Sequence, residues 1–271
     1  MLYSPLLSTL RILPVIFWVM FCLPLHMLSS YFFKNDFLFY NIFFKGLVKL
    51  FGIKVKISGK IEKKNVLFVS NHISYLDIFI LGSSTKAIFV AKYEIKSWPI
   101  INKIAAIGKT IFVERSRVMT IKDQVEVLSN ALKNGKNLIL FPEGTSSDGS
   151  KVLPFKSSLF GLSDLYSKRK FKIQPISITY SKIDGVPVER KFRPFFAWFG
   201  NMDLITHAWQ FLGLGLCEVN VHYHKSVPLN FFNNRKEASQ YCFNVISEQV
   251  GVNFKNIECQ EKIKLYEFKL L

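Results

Sequence analysis

A histidine and an aspartate five residues apart, His72 and Asp77 in the segment Asn71-His72-Ile73-Ser74-Tyr75-Leu76-Asp77, can form a base and its orienting carboxylate. On a regular helix such positions point about 140° away from each other, at roughly 3.6 residues per turn. The pair can therefore meet only if His72 precedes a helix and Asp77 lies inside it. Ser74 followed three residues later by Asp77 is a capping-box-like helix start, which leaves His72 on a turn. Directly upstream, Val66-Leu67-Phe68-Val69-Ser70 reads as a short buried strand, so the pair falls at a carboxyl end, where parallel sheets place their chemistry. Two roles stay open here. In one, Asp77 fixes the tautomer of His72, which deprotonates a hydroxyl or a water without a metal. In the other, Asp77 is only the capping acid and His72 a turn residue bonded to backbone.

Two more strand ends carry polar groups. Leu138-Ile139-Leu140-Phe141 is stopped by Pro142 and followed by Glu143-Gly144-Thr145-Ser146-Ser147-Asp148-Gly149. Thr110-Ile111-Phe112-Val113 ends in Glu114-Arg115-Ser116-Arg117. Glycines let backbone N–H groups approach an anion closely, and arginine grips a phosphate through two parallel hydrogen bonds. Each feature alone is equally compatible with a tight turn or a surface ion pair.

Together these segments resemble the four ordered motifs of the glycerolipid acyltransferases: Asn71-His72 to Asp77, Phe112-Val113-Glu114-Arg115, Phe141-Pro142-Glu143-Gly144-Thr145, and Gln174-Pro175-Ile176. The likeness spans about residues 51 to 225. It is greatest to the type that acylates 1-acyl-glycerol-3-phosphate at its sn-2 hydroxyl to give phosphatidic acid. The resemblance implies acyl transfer from a thioester, acyl-CoA or acyl-carrier protein, to a lysophospholipid, with no metal and no resident cofactor. It assigns catalysis to His72 and Asp77. It assigns substrate binding to Asn71, Arg115, Glu143, Gly144, Thr145 and Pro175, with Arg115 and the Glu143 loop at the acceptor's phosphate and Pro175 beside the acyl chain. Glu143 is expected to orient Arg115 or an acceptor hydroxyl, because an acid repels a phosphate.

One position departs from the pattern. Many members follow Glu-Gly-Thr with arginine, whereas this chain has Ser146, so one expected cation is missing. Lys109, Arg117 or Lys156 could replace that charge, or the acceptor is not a phosphomonoester. Ser147-Asp148-Gly149 and Trp198-Phe199-Gly200-Asn201-Met202 resemble members that acylate lyso-ornithine lipids, which makes that acceptor the alternative.

The elements that must position these residues alternate. Apolar strands near 87–90, 110–113, 138–141 and 173–178 are separated by helical patterns at 98–107, 120–132 and 157–165. An α/β fold follows, with a mostly parallel mixed sheet flanked by helices. Ile53, Val55 and Ile57 alternate with Lys54, Lys56 and Ser58, as in a strand near a sheet edge with one wet face. A helix near 233–250 is expected to pack on the outside. Residues 1–51 read as a hydrophobic helical membrane anchor and 52–271 as the catalytic domain.

Within the anchor, Ile12 to Phe33 holds no charged residue, long enough to span a bilayer, though Pro14, Pro24 and His26 interrupt it. The next stretch, Phe37 to Phe51, sets Phe43, Phe44, Leu47, Val48 and Leu50 among Lys45 and Lys49 in the manner of an interfacial helix. The first segment either spans once or joins the second in a hairpin within one leaflet, which the resemblance favours. Positive charge after Lys34 places the body on the cytoplasmic face. With 36 Lys+Arg against 19 Asp+Glu, the formal charge of +17 suits anionic lipid. The cations are scattered and no nucleic-acid module is present, so nucleic acid is not expected as a partner. His222 and His224 lack a matching ligand set for a metal, and Cys22, Cys217, Cys242 and Cys259 lack C-x-x-C spacing. The apolar segment 204–216 suits a membrane surface, an acyl groove or the core.

Overall fold

The computed structural model describes residues 3–32, 37–92, 110–113, 121–162 and 171–269. Its helices are α1 (Pro5–Phe32), α2 (Phe37–Leu50), α3 (Leu76–Ser84), α4 (Ile121–Lys133), α5 (Leu204–Leu212) and α6 (Arg235–Lys269). The strands are β1 (Ile53–Gly59), β2 (Val66–Ser70), β3 (Ala87–Lys92), β4 (Ile111–Val113), β5 (Asn137–Leu140), β6 (Lys172–Ile183), β7 (Val186–Pro187), β8 (Cys217–Tyr223) and β9 (Val227–Pro228). Among the described residues they form one sheet in the order β1-β8-β6-β2-β5-β3-β4, with the short β7 and β9 both paired to β6.

The sheet is mixed and mostly parallel, as the alternation of elements predicts. β2 sits at its centre, Leu67 facing Leu138 of β5 on one side and Ile173 of β6 on the other. All five β2 residues are buried, because helices cover both faces of the sheet. β6 is where direction changes: it runs parallel to β2 and antiparallel to β8. β1 lies at the edge, and its exposed Lys54 and Lys56 reach Glu218 of β8 at 3.8 and 2.8 Å, charges that discourage a further strand from pairing.

Two apolar layers fill the faces. On one side Val125, Leu128 and Leu132 of α4 and Ala238, Cys242, Ile246 and Val250 of α6, spaced three or four apart, pack on Leu67, Val69, Leu138, Leu140 and Ile173. On the other, Phe43, Phe44 and Leu47 of α2 and Leu76, Phe79 and Ile80 of α3 pack on Val66, Phe68, Phe89 and Ile139. The final helix runs well beyond the expected 233–250. Of the pattern at 157–165, Ser157–Phe160 forms a 3-10 turn, while 163–170 and the expected helix at 98–107 lie outside the described residues.

α1 has an inside-out pattern. It turns Ser8, Cys22, His26 and Ser29 inward and exposes Leu6, Leu10, Leu13, Ile16, Phe17, Met20 and Phe21. Pro5–His26 is the one stretch among the described residues long and apolar enough to cross a membrane. The helix is also sewn to the body. Ser8 Oγ donates to the Trp209 carbonyl at 2.9 Å, and Arg11 Nη1 donates to those of Leu212 and Leu214 at 3.1 and 2.6 Å. Trp18 Nε1 donates to the Phe43 carbonyl at 3.0 Å, and a Cβ at Gly46 would overlap that indole.

Candidate active site

β2 ends at Ser70, and α3 begins at Leu76, so His72 stands on the intervening turn and Asp77 in the first helical turn. Asp77 is fully buried, while the His72 side chain is 20% exposed. Asp77 Oδ2 accepts from the backbone N–H groups of Ile73 and Ser74 at 2.7 and 2.9 Å and lies 2.9 Å from His72 Nδ1. Its other oxygen, Oδ1, accepts the Tyr180 hydroxyl at 2.8 Å. An ionised carboxylate only accepts, so the imidazole proton belongs on Nδ1 and the lone pair on Nε2. Nε2 makes no hydrogen bond among the described residues. Both roles left open by the sequence thus fall to Asp77 at once: the capping acid is also the orienting carboxylate. The Ser74 side chain contributes little to the cap, its Oγ lying 3.4 Å from the Leu76 N–H.

Phe141, the residue after β5, forms the floor. Its ring stacks on the His72 imidazole at 4.1 Å between centroids and 18° between planes. Gly144 then turns the chain with φ +71°, a left-handed conformation that favours glycine, and its N–H closes on the Phe141 carbonyl at 3.1 Å. The loop that follows grips His72 from both sides of its backbone. Glu143 Oε1 accepts the His72 N–H at 2.7 Å, and the Ser147 N–H donates to the His72 carbonyl at 2.9 Å.

Glu143 is therefore placed otherwise than expected from a residue facing an acceptor hydroxyl. It is buried, and its second oxygen accepts the Leu153 N–H at 2.9 Å, so it braces the turn and the far end of its own loop. Burial pushes its carboxyl up to about 8, the nearby Asp77 adds to the rise, and the two N–H bonds offset only part of it. Asn71 is also a brace: its Oδ1 accepts the Ile178 N–H at 2.8 Å and its Nδ2 donates to the Ile178 carbonyl at 3.0 Å, binding the end of β2 to β6. Pro175 is buried within β6, in register with Val69. Its carbonyl accepts the His224 N–H at 3.0 Å, and the N–H it lacks would face the same gap between the β9 and β8 pairings. Thr145 is exposed on the loop and free to meet a ligand. Arg115, with Lys109 and Arg117, lies outside the described residues; Lys156 is exposed.

Three contributors have roles that the sequence does not announce. Tyr180 sits 103 positions from Asp77, and only the β2–β6 pairing brings it there. Phe141 ends an apolar run and opens the Phe141-Pro142-Glu143-Gly144-Thr145 motif, neither of which shows that its ring lies against His72. Trp198 donates its N–H to the Ile73 carbonyl at 3.0 Å, and its own carbonyl receives a short hydrogen bond from Ser146 Oγ. The segments after Ser146 and around Trp198 are thus joined to each other and to the turn that carries His72. His222 and His224 bond separately to Ser58 and Ser177, each at 2.7 Å, and no group of three metal-binding side chains occurs among the described residues.

A histidine–aspartate pair at the carboxyl edge of a largely parallel sheet, floored by an aromatic ring, is an arrangement with which an α/β domain can activate a hydroxyl or a water. Residues 52–179 match the acyltransferase family model. The lyso-ornithine lipid O-acyltransferase of Rhizobium meliloti (strain 1021) is 37% identical over 196 residues, 70% of this chain and 67% of that protein. The 1-acyl-sn-glycerol-3-phosphate acyltransferase of Neisseria gonorrhoeae is 30% identical over 172 residues, 64% of each chain. The crystal structure of the 1-acyl-sn-glycerophosphate acyltransferase from Thermotoga maritima superposes with a TM-score of 0.66 over 91% of this chain and 94% of that one, at 22% identity. The chain belongs to the acyltransferase family that contains these lysolipid enzymes.

Proposed function

We propose that this protein transfers a fatty acyl group from an acyl-CoA or acyl-carrier-protein thioester to the free hydroxyl of a lyso-ornithine lipid at a membrane surface. The observation that carries the chemistry is the 2.9 Å contact between His72 Nδ1 and Asp77 Oδ2 with the opposite ring nitrogen unbonded. Nε2 takes the acceptor's proton as its oxygen attacks the thioester carbonyl; the carbon–sulfur bond breaks, and the leaving thiolate takes that proton back from the imidazolium. Asp77 stabilises the imidazolium while it exists. General-base assistance of this kind is typically worth about 10²- to 10⁴-fold. The acyl group never becomes attached to the protein.

Two observations favour the ornithine acceptor. Ser146 stands where many relatives of the phosphate-acceptor type carry arginine, and its hydroxyl is spent on the Trp198 carbonyl instead of on a ligand. The Rhizobium relative that bears the lyso-ornithine name is also more similar than the Neisseria one. The second reading is acylation of 1-acyl-glycerol-3-phosphate at the sn-2 position to give phosphatidic acid, as the name of the Neisseria relative has it. For the workplace, the outward apolar face of α1 and exposed Lys45 and Lys49 on α2 suit a seat in one leaflet, with the body on the cytoplasmic face.

The test is incubation of the purified full-length chain with each thioester and a panel of lysolipids. We expect an ester product from lyso-ornithine lipid, abolished by His72→Ala. Product from 1-acyl-glycerol-3-phosphate alone would select the second reading. Free fatty acid as the sole product would overturn acyl transfer in favour of hydrolysis.

A further inference from the structure

α5 is a nine-residue helix whose outward face is apolar at two positions one turn apart: Ile205, 71% exposed, and Trp209, 38% exposed. Its inward face buries His207, Phe211 and Leu212. The helix is held firmly, since Asp203 Oδ2 accepts the Thr206 N–H at 2.8 Å as its cap and Arg11 binds the carbonyls at and beyond its end. Ile205 and Trp209 are thus displayed by a fixed element, not by a loose loop.

α1 runs along the same helix. The Ser8 hydroxyl reaches the Trp209 carbonyl, and Ser4 N–H reaches that of Gly213 at 2.9 Å. α1 and α5 thus lie side by side, each with exposed apolar residues: Leu6, Leu10 and Leu13 on one, Ile205 and Trp209 on the other. The 3-10 turn Arg190–Phe195 also packs against α5 and exposes Arg190 and Lys191, the latter shared with Glu189 at 2.7 Å. An exposed apolar face with a tryptophan in it matches the boundary layer of a bilayer; around it Arg190 is an exposed cation, Lys191 is paired with Glu189, and the exposed Asp203 carboxylate is taken up by the helix cap.

We propose that α5 is a further membrane-seated element, with Ile205 and Trp209 entering the boundary between headgroups and acyl chains and Arg190 meeting anionic headgroups. This rests on the reading that α1 lies in a membrane. It adds a connection to the chemistry. On the inner face of α5, His207 Nδ1 lies 3.3 Å from the Tyr75 hydroxyl, and Tyr75 is three residues from His72. α5 and the turn that carries His72 are thus packed on one another.

The test uses the full-length protein diluted from detergent into vesicles of phosphatidylcholine and phosphatidylglycerol, with binding read by flotation. Ile205→Glu/Trp209→Glu is compared with Leu10→Glu/Leu13→Glu on α1 and with Val252→Glu, an exposed position on α6. We expect the α5 pair to lower binding at least tenfold, since moving one large apolar side chain out of water is worth about that factor, and Val252→Glu to leave it unchanged. In a separate readout on the conservative variant, brominated-chain lipid should quench wild-type fluorescence more than that of Trp209→Phe. If the α1 pair loses binding while the α5 pair binds like wild type and the quenching difference is absent, the α5 proposal is overturned and the reading of α1 stands. If neither pair loses binding, the reading of α1 fails as well. A wild-type dimer in detergent that the α5 pair makes monomeric, with vesicle binding unchanged, would assign this face to a second copy of the chain and overturn the proposal.

Discussion

Replacing Asp77 by asparagine separates its two roles. The amide oxygen can take the place of Oδ2 and go on accepting from His72 Nδ1, Ile73 N–H and Ser74 N–H, so the turn and the tautomer survive. The amide nitrogen then faces Tyr180, whose oxygen can accept from it. Only the charge is lost. A carboxylate 2.9 Å from an imidazolium contributes about 6 kcal/mol at an effective dielectric constant of roughly 20, and partial solvent exposure of His72 reduces this. Taking about 3 to 5 kcal/mol, Asp77→Asn should lower kcat about 10²- to 10⁴-fold. Its melting temperature should stay within a few degrees of wild type. Asp77→Ala would not answer the question, because it leaves two buried N–H groups unpaired at about 1–3 kcal/mol each and lowers stability with activity. The assay is release of free thiol from the acyl donor with a saturating lysolipid acceptor, alongside thermal unfolding. An asparagine variant that keeps more than a tenth of wild-type kcat would show that Asp77 serves as a cap alone.

Three further outcomes are expected. Tyr180→Phe leaves Asp77 Oδ1 without its donor inside the protein, a loss of about 1–3 kcal/mol that thermal unfolding should show, while kcat and KM stay near wild type because Oδ2 keeps its contacts with His72, Ile73 and Ser74. A fall in kcat of tenfold or more at unchanged stability would make Tyr180 part of the catalytic machinery. For Glu143, burial raises the folded-state carboxyl to about 8 from an ordinary value of 4.5, so its contribution to stability is fully present below pH 4.5 and is lost as the pH rises through 8. Glu143→Gln should be destabilised most at pH 5, and the gap to wild type in thermal unfolding should narrow toward pH 8; a gap that does not change with pH would refute this. Asn71→Ala strips both partners from the Ile178 peptide and should cost about 2 to 4 kcal/mol in denaturant unfolding, with KM for the acceptor unchanged in the folded enzyme. A rise in KM at unchanged stability would return Asn71 to the substrate.

The contact between His72 and Asp77 was legible because its geometry is local. Five residues with a helix start between them fix how His72 and Asp77 meet, whatever the rest of the chain does. The strands were legible as apolar runs, and the edge position of β1 followed from its alternating lysines. What the sequence hides is long-range. The Tyr180 hydroxyl reaches Asp77 only through the register of β6 on β2, and no local pattern encodes that register. Asn71 and Glu143 stand in motif positions that suggest ligand contact, yet each has turned its polar atoms onto backbone groups left without partners where strands end. A polar residue beside a catalytic one can serve the peptide skeleton as well as the substrate, and residue type alone does not distinguish them.

The stitching of α1 has a practical consequence for making the protein. Deleting residues 1–32 to obtain a version that needs no detergent would strip the Leu212 and Leu214 carbonyls of Arg11 and bare the Phe43 carbonyl that Trp18 now covers. The truncated form would exchange one greasy surface for another and loosen the helix behind Tyr75. α1 and the body share these hydrogen bonds, so a preparation without residues 1–32 should be sticky and slow, and the remedy is to keep α1 and supply it with amphiphile.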